Sequence, residues 1–133
     1  MPFKDTYHDA LIHALVKDGW TILREQYKLP VGTRRLWIDV HAAKAEQIIL
    51  VEIKGFETSP SSVEELADAL GQYVMYQVGL AANKITVPLY LAVPEAAYEG
   101  ILSEELGRLI RQHSDMKLLV FDPNREVITK WNP

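Results

Sequence analysis

The chain has no cysteine. That absence alone excludes disulfides, thiolate metal sites and cysteine nucleophiles. A long apolar run is also missing: the amino terminus, MPFKDTYHDALIHALVKDGW, carries acidic residues and no continuous apolar core, so it reads as neither a secretory signal nor a membrane span. A cytoplasmic location without a membrane partner is expected. Nor is there an excess of basic charge. A net charge of -4 argues against a general polyanion binder, whose affinity comes from a basic surface, but leaves room for a local basic strip. No internal repeat, low-complexity tract or linker is visible. What is present is a composition with 48% hydrophobic and 24% charged residues over 133 positions, as expected for one globular domain spanning 1–133 with a single core.

From Asp5 to Lys17 the apolar positions Tyr7, Ala10, Leu11, Ala14 and Leu15 recur at helical spacing, and Gly19 is placed to close the helix. The period then changes. WTILREQY (20–27) alternates, PVGT (30–33) is a turn signal, and a second alternating run puts Leu36, Ile38 and Val40 on one face, which predicts a hairpin. QIILVEIKGF (47–56) is almost continuously apolar up to Val51, as in a central strand buried on both faces. The segment from Thr58 to Asn83 predicts a long helix over 62–82, with Ser62 and Glu65 at capping-box spacing and Val63, Leu66, Leu70, Tyr73 and Val74 along one face. ITVPLYLAV (85–93) reads as a buried strand in which Pro88 marks an edge or bulge. Helix follows over 95–113, broken near Ser103, and KLLVF and VITKW flank the turn DPNRE as a closing hairpin. The order αβββαβαββ predicts a mixed α/β sheet flanked by helices, with the 62–82 helix as crossover between two parallel strands.

Charges inside two of these strands are the sequence's main anomaly. A carboxylate removed from water without a partner is costly. Strand alternation places Glu52 and Lys54 on one side with Ile48 and Leu50, opposite Ile49, Val51 and Ile53. Asp39 sits on the preceding strand, and the connection over 42–48 allows antiparallel pairing that brings Asp39 and Glu52 together. Two adjacent carboxylates repel, but a divalent cation reverses the sign of that energy, and magnesium takes one or two carboxylates while keeping several waters. Lys54 beside them would help deprotonate a metal-bound water and offset transition-state charge, as phosphodiester hydrolysis requires. The competing explanation is that Lys54 pairs with Glu52 or Asp39 at a strand end, in an ion-pair network without metal.

Asp39 followed after one loop by Glu52-Ile53-Lys54, in this order of elements, resembles the PD-(D/E)XK nuclease superfamily, the restriction-endonuclease-like fold. The resemblance implies Mg2+ (or Mn2+) held by Asp39, Glu52 and the backbone carbonyl of Ile53, with Lys54 catalytic. Gln72 and Tyr76 match the Gln-x-x-x-Tyr spacing that some branches place on the following helix, while Ile38 stands where the motif has proline. Over nearly the whole chain, KD-x-YH at Lys4 to His8, KDGWTI, WIDV, VEIKGF, ALGQYVMY and LYLAVP together resemble the XisH family, controlling factors for excision of the fdxN element in cyanobacteria. That resemblance implies a role in site-specific DNA rearrangement alongside a recombinase and a companion excision-controlling factor.

His8 and Asp9 are further candidates because the superfamily often sends an acidic residue from its first helix to the active site; a solvated helix end is the plainer reading. Gln72 would hydrogen-bond a metal water or a phosphate. Lys28, Arg34 and Arg35 around the hairpin turn are suited to phosphates, or are ordinary solubilising charge. His41 and His113 have no partners at metal-ligand spacing. Three readings follow: a magnesium-dependent DNA endonuclease, a non-catalytic DNA- or protein-binding accessory of a recombinase, and a purely structural ion-pair network. Homo-oligomerisation is compatible with each.

Overall fold

The computed structural model describes residues 6–132; the expected helix start at Asp5 and the Lys4 end of the KD-x-YH motif lie outside them. Helix α1 spans His8–Lys17, and Gly19, at φ 95°, turns the chain out of it as expected. Strands β1 (Thr21–Val31) and β2 (Arg34–Lys44) form a hairpin, and β3 (Gln47–Ile53) pairs antiparallel to β2. Helix α2 (Val63–Ala82) crosses to β4 (Leu89–Pro94), which lies parallel to β3. A helix α3 (Glu95–Glu99), a 3-10 turn over Ile101–Ser103 and α4 (Glu105–Ser114) lead to β5 (Leu118–Asp122), parallel to β4, and β6 (Val127–Trp131) closes as an antiparallel edge. The helical break expected near Ser103 is therefore real. The six strands lie in the spatial order β1-β2-β3-β4-β5-β6. This is the mixed α/β sheet with flanking helices that the sequence predicts, and it is consistent with a restriction-endonuclease-like fold.

Each face of the sheet has its own core. On one, Leu66, Tyr73 and Tyr76 of α2 pack on Leu50, Leu91 and Val120; on the other, Leu11 and Leu15 of α1 pack on Val40, Val51 and Phe121. Central strands covered on both faces need continuous apolar sequence, and β3 has it up to Val51. Tyr73 fastens α2 to the sheet: its hydroxyl donates to Leu89 O at 2.9 Å and accepts from Lys117 N–H at 3.1 Å. At the helix start, Ser62 Oγ accepts from Glu65 N–H at 3.1 Å, half of the expected capping box; Glu65 turns its Oε1 to Thr58 N–H at 3.4 Å instead of back to Ser62.

Three local expectations are corrected. Leu36, Ile38 and Val40 do not share a face: Leu36 and Ile38 pack with α2, whereas Val40 packs with α1. The switch falls where the neighbouring β1 is itself irregular. Gln26 lies opposite Asp39 in the hairpin register with φ 57°, and a left-handed residue interrupts the alternation of faces in a strand. On α2, Val63 and Val74 point to solvent, and Leu66, Ala69, Tyr73, Tyr76, Gly79 and Leu80 form the buried stripe. The fourth strand begins at Leu89 rather than at 85, just after Pro88, which lacks an N–H for the ladder.

Candidate functional site

The β2–β3 turn is only two residues, Ala45 and Glu46, so the register is fixed: Lys44 faces Gln47 and Val40 faces Val51. One step further along, Asp39 and Glu52 meet. The Asp39 N–H donates to Glu52 Oε1 at 3.2 Å, and Asp39 Oδ2 accepts from the Ile53 N–H at 2.8 Å. Each side chain thus takes up a backbone donor of the other strand at the point where the ladder ends. Tyr76, reaching down from α2, donates its hydroxyl to Glu52 Oε2 at 3.5 Å.

Both carboxyl groups are buried, Asp39 at 7% and Glu52 at 6% exposure. Loss of water raises the pKa of each. For Asp39 the hydrogen bond from Ile53, the Glu52 carboxyl, His8 and Gln26 pull the other way; for Glu52 the Asp39 charge adds to desolvation and pushes it well above the usual carboxylate range. Desolvation, then the Glu52 and Asp39 charges, also raise the Tyr76 hydroxyl, so it stays protonated and serves as a donor.

Lys54 follows β3 directly, its N–H held by Ala92 O at 2.9 Å. Its side chain is half-buried and forms no ion pair with a described residue, so the expected alternative of a lysine–carboxylate pair is not what compensates Asp39 and Glu52. Beyond it, Gly55, Phe56 and Glu57 line a cleft of about 420 Å³ with Glu95 and Asp122, at the carboxyl ends of the parallel strands; Asp39, Glu52 and Lys54 themselves do not line that cleft. Gln72 is one helical turn before Tyr76 on α2, half-buried, with no side-chain hydrogen bond to a described residue.

Behind Asp39 lies a second polar layer. His8 is 1% exposed, its Nε2 2.7 Å from Glu25 Oε1 and its Nδ1 buried without a partner, whereas Asp9 faces solvent and is removed from the site. The amide of Gln26 lies beside Asp39 and favours its ionised form, yet neither amide atom completes a hydrogen bond. Glu25 and Gln26 escaped the sequence reading. The signal was the hairpin register: the Gly32–Thr33 turn sets Gln26 opposite Asp39 and Glu25 opposite Val40. Lys28, Arg34 and Arg35 are exposed along the same hairpin, outward from Asp39.

Among the described residues no three His, Asp or Glu side chains converge as a ready-made metal cage. Two hard, buried carboxylates without an ion pair to a described lysine or arginine still match the few-carboxylate donor set that magnesium accepts. No described helix is long and apolar enough to cross a membrane.

The XisH protein family model matches residues 1–129. The chain belongs to the XisH family. Two solved structures agree with it. An XisH family protein from Nostoc punctiforme PCC 73102 is 31% identical with a TM-score of 0.89, over 97% of this chain and 100% of that one. An fdxN element excision controlling factor protein from Anabaena variabilis is 33% identical with a TM-score of 0.90, over 98% and 100%. No curated protein matches the chain.

Proposed function

We propose that this XisH chain is an excision-controlling factor, as the Anabaena variabilis relative is named, and that its Asp39–Glu52 pair is a PD-(D/E)XK-type site acting on DNA phosphodiesters with Mg2+ or Mn2+. The supporting observation is the reciprocal lock of Asp39 and Glu52, two desolvated carboxylates that form no ion pair with a described lysine or arginine. A bound cation would supply Lewis acidity and a water acidic enough to attack phosphorus. Asp39, Glu52 and the Ile53 carbonyl would hold it. Tyr76 and the Ile53 N–H hold the carboxylates, with His8 and Gln26 beside Asp39; Lys54, which forms no ion pair with a described residue, offers its ammonium for charge developing on the phosphate, and Gln72 a hydrogen bond to the same region. Lys28, Arg34 and Arg35 on the hairpin suit flanking phosphates, which position DNA without reading sequence. A site-specific recombinase and a companion controlling factor are the protein partners this reading calls for.

A non-catalytic accessory role is the second reading, favoured by the low exposure of both carboxylates and the net charge of -4. Incubating supercoiled and branched DNA with the protein and Mg2+ or Mn2+ separates the two. The nuclease reading expects nicking by wild type and none by Glu52→Gln or Lys54→Ala. DNA or partner binding without cleavage, with the companion factor present, moves the function to the accessory role.

A further inference from the structure

The outer side of α2 is unlike the rest of the surface. From Ala69 to Asn83 the sequence has no charged residue. Within that stretch Val74, Met75 and Val78 are 45%, 51% and 60% exposed. Ala67, Gly71, Val74, Val78 and Ala81, all exposed, follow the alternating four- and three-residue spacing of a helix that packs lengthwise on another helix. The buried stripe through Tyr73 and Tyr76 already faces the sheet, and no described residue covers this second seam.

Gly71 is an independent observation on the same seam. A glycine inside a helix weakens it relative to alanine. Gly79, on the buried side, has a reason within the fold, because a Cβ there would lie 2.8 Å from Leu29 Cδ2. At Gly71 a Cβ would meet nothing within 4 Å. Gly71 therefore has no steric requirement for glycine among the described residues and leaves a hollow on this face.

We propose that this face binds the same face of a second copy, with the two α2 helices antiparallel across a two-fold axis near Val74. The neutral stretch is bounded by opposite charge, Glu64, Glu65 and Asp68 before it and Lys84 after it, and this selects the occupant. Glu64 and Lys84 are equally far from Val74 along the chain, one before and one after it, and both are exposed and without an ion pair to a described residue. Antiparallel pairing therefore sets Glu64 of each copy against Lys84 of the other, while a parallel arrangement would oppose like charges. The same axis puts Val74 on Val74, Ala67 on Ala81, and the hollow at Gly71 beside the bulk of Val78. A contact in which each residue meets its counterpart reciprocally is what two-fold symmetry demands. Opposed helix dipoles add to it. Chains of net charge -4 repel, so a neutral seam is where two copies can approach.

Sedimentation of the wild-type chain across the micromolar range should give twice 15.1 kDa. Val74→Asp and Val78→Asp, at exposed positions, should give 15.1 kDa with an unchanged circular dichroism spectrum. Glu64→Lys should weaken association about tenfold, and adding Lys84→Glu should restore it. Because the chain has no cysteine, Val74→Cys should cross-link as a disulfide dimer on mild oxidation, whereas Val16→Cys, more exposed and on α1, should not. A wild-type monomer throughout would overturn the proposal and leave the face to a different protein. A dimer that survives both aspartate variants, or fails to cross-link through Val74→Cys, would overturn it in favour of another surface or register.

Discussion

Asp39 and Glu52 hold each other across two strands through backbone rather than through charge: Asp39 N–H to Glu52 Oε1 at 3.2 Å, Ile53 N–H to Asp39 Oδ2 at 2.8 Å. The arrangement keeps two carboxylates oriented although their charges repel. Fixing them this way stores an unfavourable electrostatic energy in the fold that protons or a cation can relieve.

Protons give the first prediction. Burial and then the Asp39 charge raise Glu52 above its ordinary value of 4.5, and burial raises Asp39 above 3.8. The folded protein thus binds these protons more tightly than the unfolded chain. The stability they add is fully present below the unfolded values and is lost as pH rises through the folded ones. Without divalent cations, Tm should therefore increase as pH falls from alkaline towards about 5. Glu52→Gln should flatten that slope, which thermal denaturation over a pH series reads directly.

Gln26 gives the second. Its amide lies buried beside Asp39 without completing a hydrogen bond to a described residue, a condition that native structures seldom leave standing. Gln26→Met should leave the metal-free fold unchanged or up to about 1 kcal/mol more stable, while lowering divalent-cation affinity or activity. Urea titration and cation binding, measured on the same variant, check the two halves separately.

Much of this was legible from the amino acids. The change from helical to alternating period marked α1 and the hairpin, and the apolar run before Glu52 marked the central strand. Asp39 and Glu52 could be paired because a short connection leaves few registers. The face switch between Ile38 and Val40 was not legible, because the left-handed residue beside it is Gln26, and glutamine carries no turn signature of the kind that glycine or asparagine gives. On α2, apolar residues occupy both the buried stripe and the outward seam, so periodicity alone could not tell Tyr73 from Val74.

The join between α2 and the sheet gives two stability predictions. Tyr73→Phe leaves Leu89 O and the Lys117 N–H without their buried partner and should cost about 1–3 kcal/mol. Its size should be clear in chemical denaturation beside Tyr76→Phe, whose 3.5 Å contact is long and weak.

Gly79→Ala should also destabilise, by about 1–3 kcal/mol, because its Cβ would press on Leu29 Cδ2 at 2.8 Å and Val31 Cγ2 at 3.0 Å. Calorimetry should show a lower Tm with an unaltered far-ultraviolet spectrum.

Titration calorimetry of Mg2+ and Mn2+ into wild type, Asp39→Asn and Glu52→Gln tests the central claim most directly. The substitutions keep size and remove one charge each. A carboxylate pair built to hold a divalent cation predicts saturable binding at one site in wild type, abolished or at least tenfold weaker in both variants. Binding that is absent from wild type, or identical in all three proteins, would contradict it.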